Sequence, residues 1–391
     1  LITKVRYYIY LKDVLVLALS AFGGPQAHIA MLFDLMVDKR GYLTEEDLVE
    51  LNALCQILPG PTSTQTITAI GYRIGGANLA YLTLLIWIIP AVTLMTTAGI
   101  LISTLSANNI SIEFTKYIQP MAVGFVSYAA YKISTKVVNT YTGIVIMVFS
   151  AVASYFFSSP YIFPLILVVA GSFTALKYKQ HEKEENIKIN IKWANFFLWG
   201  GTLIFAAILG GVTDFLPVRL FENFYRNGSL IFGGGQVLIP LLYTEFVEFK
   251  DYLTSEQFLT GYAFVQSVPG PVFSFSAYIG AIANNQHGIW GGILGGFASA
   301  LGVFLPGTFL IFFIIKIWDG LKKYRVIKAS LEGVNAASSG MVAAAAILMF
   351  QPIDISIVNI SIVIMTMMLL LFTKIPAPFI ILCGLAAGFI F

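Results

Sequence analysis

The sequence predicts an all-α polytopic membrane protein built from two inverted-topology repeats, and three observations carry that prediction. Hydrophobic residues make up 58% of the chain and charged residues 11%, at a mean hydropathy of +0.82, a balance that soluble domains do not reach. Residues 22 to 61 recur at 232 to 271 with a constant offset of 210. Nine of the twenty positions from 42 to 61 are identical to their partners, where unrelated sequence matches at roughly one in twenty. Equivalent loops of the two copies carry opposite charge character, which sets the copies in a bilayer in opposite senses.

Taken in order, the chain opens with two hydrophobic units, 10 to 37 and 46 to 75, each interrupted near its middle. Apolar runs long enough for the hydrocarbon layer follow at roughly 79 to 105, 117 to 137, 141 to 157 and 161 to 176. The stretch 177 to 192 mixes five Lys with Glu182, Glu184 and Glu185 and reads as a solvated linker. A run at 196 to 212 has no partner in the first copy. The second copy then repeats the pattern, with interrupted units at 221 to 248 and 256 to 284 and runs at 289 to 315, 331 to 350, 355 to 373 and 375 to 391. The total is about thirteen hydrophobic units.

Charge orients them. Beyond the second interruption the offset grows to 216, so that Gly75-Gly76, Pro90 and Gly124 match Gly291-Gly292, Pro306 and Gly340. The loop at 106 to 116 has one Lys and one Glu, whereas its counterpart at 316 to 328 holds Lys316, Lys322, Lys323, Arg325 and Lys328. The positive-inside rule puts the second loop in the cytoplasm and the first outside. Two copies of about six units each would run parallel unless an extra crossing separated them, and the run at 196 to 212 supplies it. The expected organisation is a first repeat at 1–176, a linker and linking helix at 177–213, and a second, inverted repeat at 214–391, with the amino terminus cytoplasmic.

The interruptions are where function is expected. Pro59-Gly60-Pro61 cannot continue a helix, because each proline lacks a donor and clashes with the preceding turn. The helix restarts at Pro61 with Thr62, Ser63, Thr64 and Gln65 in its first turn. Backbone N–H groups without acceptors, the positive end of the macrodipole and these side chains suit an oxyanion. Gly270 and Pro271 begin the equivalent restart, with Ser274 nearby. Gly23-Gly24-Pro25 breaks the first unit, with Gln26 as a first-turn donor, and Gly233, Gly234, Gly235 and Gln236 repeat this. His28 faces Leu238 in the alignment, and reads either as a donor near the site or as a satisfied polar residue between helices. Broken helices whose amino termini converge near the midplane are how secondary transporters hold ionic substrates. An anion is favoured over a cation, since few carboxylates surround the breaks. The competing reading makes them packing kinks, but both copies keep the same break with the same Gln beside it. Thr44 and Glu46 are expected at a helix start as capping residues. Arg73 reads either as an interfacial anchor or as an attractor of anions.

Other classes are disfavoured. Cys55 and Cys383 sit in apolar runs, and His28, His181 and His287 fit no metal-ligand spacing. No metal or cofactor is expected. The net charge of +3 gives no reason for a nucleic-acid partner. No hydrolase or zinc-protease motif appears, so no enzyme is expected. The expected partners are the lipid bilayer, the oxyanion and, as an open alternative, a second copy of the chain.

The motif Phe22-Gly23-Gly24-Pro25-Gln26-Ala27-His28, the run Cys55-Gln56-Ile57-Leu58-Pro59-Gly60-Pro61 with Ser63, Thr64 and Gln65, and Gly71-Tyr72-Arg73 resemble the chromate ion transporter family in its long-chain, two-domain form. The second half agrees through Phe232-Gly233-Gly234, Gln266 and Pro269-Gly270-Pro271-Val272-Phe273. The resemblance covers essentially the whole chain. It implies an inner-membrane secondary transporter that exports chromate and confers resistance. Where the family usually has Trp after the basic residues near position 40, this chain has Gly41-Tyr42. Residues alone lead to an oxyanion carrier, with sulfate and an anion channel as alternatives; the resemblance supplies chromate.

Overall fold

The computed structural model describes residues 2–22, 24–107, 113–157, 159, 161–176, 193–232, 235–318 and 325–390, and every regular element among them is helical. The linker at 177–192, residues 108–112 and 319–324 of the two loops, and Gly23, Gly233 and Gly234 lie outside the described residues. Among the described residues, four helices are long and apolar enough to cross a membrane: Thr62–Ser106, Ala194–Val212, Val272–Ile314 and Ala329–Phe350. Apolar helices of 10–17 residues accompany them at Tyr141–Phe156, Ile162–Ala175, Ile357–Phe372 and Ala377–Ile390. The protein is a multi-pass, all-α membrane protein of two repeats.

The chain divides into two compact units that each draw on both repeats. One consists of Leu1–Ser103, Ile191–Leu230 and Val265–Lys316. The other consists of Thr104–Asn190, Ile231–Phe264 and Ile317–Phe391. The first copy's broken hairpin thus belongs with the first unit, and its counterpart at 231–264 with the second.

In the first unit, α1 (Ile2–Ser20) leads through α2 (Gly24–Leu32) into a π-helical turn, Phe33–Lys39. Helix α3 (Glu45–Ile57) follows and ends at the Pro-Gly-Pro break, after which α4 runs Thr62–Ala107. The α3 start is set by Thr44, whose hydroxyl accepts from Asp47 N while the Asp47 carboxylate accepts from Thr44 N. The capping partner is therefore Asp47 and not Glu46, because the reciprocal bond reaches the third helical residue. Thr254 and Gln257 repeat the box ahead of the second copy's hairpin helix. Thr44→Ala should cost about 1 kcal/mol, read as a drop in the melting temperature of the purified protein. An unchanged melting temperature would count against this cap.

Helix α4 is broken at Gly75 and Gly76, where Gly76 has φ +73. Gly288, with φ +74, opens the matching long helix of the second copy. Backbone conformation therefore pairs Gly76 with Gly288, not with Gly292 as sequence alignment suggests. The remaining offset builds up inside the second copy's helix, by about one turn, so its buried face is kept.

The linking helix α8 (Ala194–Val212) belongs to this unit, and the second copy contributes α9 (Leu216–Leu230), α12 (Phe275–Asn284) and α13 (Gly288–Ile314) to it. Helices α4 and α13 are counterparts, and they pack antiparallel. A Cβ on Gly292 would stand 2.6 Å from Ile100, and one on Gly296 would stand 2.5 Å from Thr96, so α13 advances a turn as α4 retreats one. The pairing is reciprocal: at the other end Phe312, the counterpart of Thr96, meets Tyr81 at 5.2 Å between rings. Reciprocal contact between counterparts is the mark of a two-fold. Its axis lies across the helices, which for membrane-crossing helices is the bilayer plane.

The second unit is arranged around α14 (Arg325–Phe350), which packs on α5 (Ile118–Val137), α6 (Tyr141–Phe156), α7 (Ile162–Ala175) and α10 (Gly235–Tyr243). Helices α15 (Ile357–Phe372) and α16 (Ala377–Ile390) pack on α5. Thr140 and Ser356, counterparts at the offset of 216, each cap their helix through a hydroxyl accepting from the N–H three residues on, at 3.0 and 3.1 Å. A π-helical turn, Thr244–Phe249, follows α10, and α11 (Ser255–Ser267) completes the second hairpin. The two π turns fall at equivalent places in the two copies.

Candidate functional site

Three of the four expected breaks meet in the first unit. Helix α3 ends at Leu58, Gly60 takes φ +114, and α4 restarts at Thr62. Gly270 takes φ +116 in the second copy, so the two Pro-Gly-Pro turns share a backbone conformation that favours glycine. The first intrahelical bond of α4 is Gln65 N to Pro61 O at 2.8 Å. Thr62, Ser63 and Thr64 are therefore left with N–H groups that have no intrahelical acceptor. Ser63, Thr64 and Gln65 are buried, and Thr62 is half-buried.

The end of α1 joins the restarts. Ala21 O accepts from Gly270 N at 2.8 Å and from His28 Nε2 at 3.0 Å. A carbonyl only accepts, so Nε2 carries the proton, and in the neutral ring Nδ1 accepts from Ser63 Oγ at 3.1 Å. His28 thus ties α1, α2 and α4 together. Trp87, which sequence reasoning passed over, donates from Nε1 to Thr64 Oγ1 at 3.1 Å and meets the His28 ring edge-on at 5.4 Å. An indole within an otherwise apolar run was the available signal, since a buried Trp N–H seeks an acceptor.

Gln65 Nε2 donates one of its two N–H groups to Pro59 O at 2.6 Å, across the break. Glycine at 60 and at 307 leaves room for that amide, since a Cβ at either position would press on it. In the reciprocal place, a Cβ on Gly270 would stand 2.8 Å from the Ala91 Cβ, and Ala91 is the counterpart of Gly307. Ser274 is fully buried and its Oγ has no partner. Gly24 takes φ +76 at the start of α2, while the side chains of Pro25 and Gln26 lie outside the described residues. In the second unit Gly235 opens α10, and Gly234 and the Gln236 side chain likewise fall outside. The structure thus brings together Gly60, Pro61, Thr62, Ser63, Thr64, Gln65, His28 and Gly270.

Charged groups lie one step back. Asp13, buried on α1, accepts from Arg40 Nη2 and Tyr42 Oη, each at 2.8 Å. Burial and the Asp13 bond push the Tyr42 hydroxyl up to about 12, so it stays a donor at neutral pH. Arg73 pairs with Asp47 at 2.6 Å. In the second unit Lys250, the counterpart of Arg40, pairs at 3.3 Å with the buried Glu245 on the π turn.

Comparison with known proteins bears on this arrangement. A family model described as chromate transporter matches residues 10–175 and 218–389. An uncharacterized transporter of Methanocaldococcus jannaschii is 25% identical over 382 residues, covering 96% of this chain and 92% of that protein. A probable chromate transport protein of Synechococcus elongatus is 24% identical over 373 residues, 95% of this chain and 92% of its own length. A chromate transport protein of Pseudomonas aeruginosa is 26% identical over 344 residues, covering 84% and 77%. No solved structure matches.

Proposed function

The chain belongs to the chromate transporter family, and from that premise we propose that it exports chromate, or a closely related tetrahedral oxyanion, by alternating access. The observation that carries this reading is the start of α4, where three N–H groups without intrahelical acceptors sit among buried hydroxyls beside the second copy's Gly270. Such a terminus offers donors and partial positive charge without a fixed cation, so an anion can both bind and leave. Gln26 would add a neutral donor from the break that opens α2. The two-fold between counterpart helices supplies two equivalent arrangements of one site, facing opposite sides in turn. The amino terminus is cytoplasmic in this reading.

Uptake of labelled chromate and sulfate into inverted vesicles, each ion competing with the other, tests it. Saturable chromate accumulation that drives counterflow is expected. Sulfate transport without chromate transport would move the substrate to sulfate, and flux that never runs against a gradient would make the protein a channel. Orientation is tested separately in a variant lacking Cys55 and Cys383. A cysteine at 109 should be labelled in intact cells and one at 322 only after permeabilisation, and the reverse pattern would overturn the assignment.

A further inference from the structure

The start of α4 offers donors, yet one buried atom beside them can only accept. Gln65 is 2% exposed, and its Nε2 donates to Pro59 O at 2.6 Å. A backbone carbonyl only accepts, so this bond fixes which end of the amide is nitrogen and which is oxygen. The oxygen, Oε1, is buried, and no donor among the described residues reaches it. A buried acceptor left without a donor is costly, so its position is informative. A helical side chain leans toward the amino end of its helix, and this one reaches back six residues, to the carbonyl of Pro59. Oε1 therefore stands at the amino end of α4, toward which the N–H groups of Thr62, Ser63 and Thr64 also point. The polar side chains nearest to it are occupied elsewhere, Ser63 Oγ on His28 Nδ1 and Trp87 Nε1 on Thr64 Oγ1. The second copy does not repeat this amide, since Phe275 stands in the place of Gln65.

Three N–H donors beside one acceptor match a tetrahedral oxyanion that carries a single proton. Its bare oxygens accept from the N–H groups, and its O–H donates to Oε1. A fully ionised oxyanion has no hydrogen to offer, and would set one lone pair against another at that atom. The candidate substrates differ on this point. Chromate takes up a proton close to neutral pH, whereas sulfate takes one up only in strong acid.

We propose that Gln65 Oε1 accepts the proton of a singly protonated oxyanion, so that the site takes hydrogen chromate in preference to sulfate. This rests on the reading of the protein as an oxyanion carrier. A site with an acceptor for a substrate O–H rejects the analogue that lacks it, because the acceptor is then left unpaired. A monoanion also costs less to desolvate than a dianion, which suits a site built from neutral groups. The proton leaves with the anion, and no residue has to hold it.

Counterflow in proteoliposomes at the same pH on both sides tests the assignment, with wild type and Gln65→Met, which keeps the length of the side chain but has no carbonyl. For wild type, the KM for total chromate should rise about tenfold for each pH unit above chromate's own ionisation, since only the protonated fraction binds. The KM for sulfate should stay flat over the same range and lie at least about tenfold above that for chromate at the acidic end. Gln65→Met should flatten the chromate profile and bring the two ions within about threefold of each other. Titratable groups surround the site: His28 is bonded to Ser63, Cys55 to Thr66 and Tyr10 to Ile67 O, and α9 carries the Glu222–Arg226 pair, whereas α13 has none. Titration of any of them would bend the chromate and sulfate profiles alike, so the difference between the two ions isolates the substrate's proton. The wild-type profiles decide the matter by themselves if Gln65→Met fails to fold. Parallel profiles for the two ions, sulfate taken as readily as chromate at the acidic end, or a chromate slope that persists in Gln65→Met overturns the assignment, leaving Oε1 to water and the carrier intact. Wild-type protein that exchanges neither ion sinks the carrier reading and this one with it.

Discussion

A valine at position 270 is expected to abolish oxyanion exchange and to lower the melting temperature of the purified protein. Gly270 sits at φ +116, where a β-branched residue is strained by about 1–3 kcal/mol. Its Cβ would also stand 2.8 Å from the Ala91 Cβ, an overpacking that adds about 1–3 kcal/mol. Any shift that relieves either one pulls Gly270 N away from Ala21 O, the bond that joins the second copy's turn to the first copy's α1. Gly60 makes the informative contrast. A Cβ there meets the end of the Gln65 side chain at 2.9 Å, which can swing aside, so Gly60→Ala should cost only the strain and the Gln65 bond. Ala91→Gly should recover the packing share of Gly270→Ala but not the strain, leaving a partial rescue. Wild-type exchange by Gly270→Val would mean that the turn does not need its conformation.

The breaks were legible in the sequence because proline and glycine act locally. Pro59-Gly60-Pro61 and its copy had to interrupt a helix whatever surrounded them, and both turns adopt the same backbone. The capping box at Thr44 was legible for the same reason, although the choice between Glu46 and Asp47 depended on a register of one residue. What side chains do with their partners was not legible. Gln65 looks like a ligand donor in the sequence, yet its amide turns back to Pro59 O, a choice made by the room at Gly307 more than 200 residues away. The π turns leave no compositional mark at all. Likewise, the apolar pattern marks two repeats in succession, whereas long-range packing builds each compact unit from both.

Replacing His28 with leucine, the residue that the second copy carries at Leu238, should destabilise the protein by about 1–3 kcal/mol and reduce exchange in proportion to the loss of ordered site. Ala21 O would still hold Gly270 N, so the carbonyl is not orphaned. Ser63 is the casualty. Its buried hydroxyl donates to Nδ1, and with leucine beside it that donor has no acceptor. Ser63→Ala alone leaves the ring nitrogen wanting a donor and should cost about 1 kcal/mol. The double variant removes both members of the pair, so it should be more stable than His28→Leu alone, a non-additivity on the order of 1 kcal/mol. Thermal melts of the four proteins give the stability cycle, and counterflow KM values give its functional counterpart. If His28 acts by holding the start of α4, then Ser63→Ala in the His28→Leu background restores stability and exchange together. If instead the ring itself donates to the anion, stability recovers while KM stays raised, and His28 moves from positioning residue to ligand.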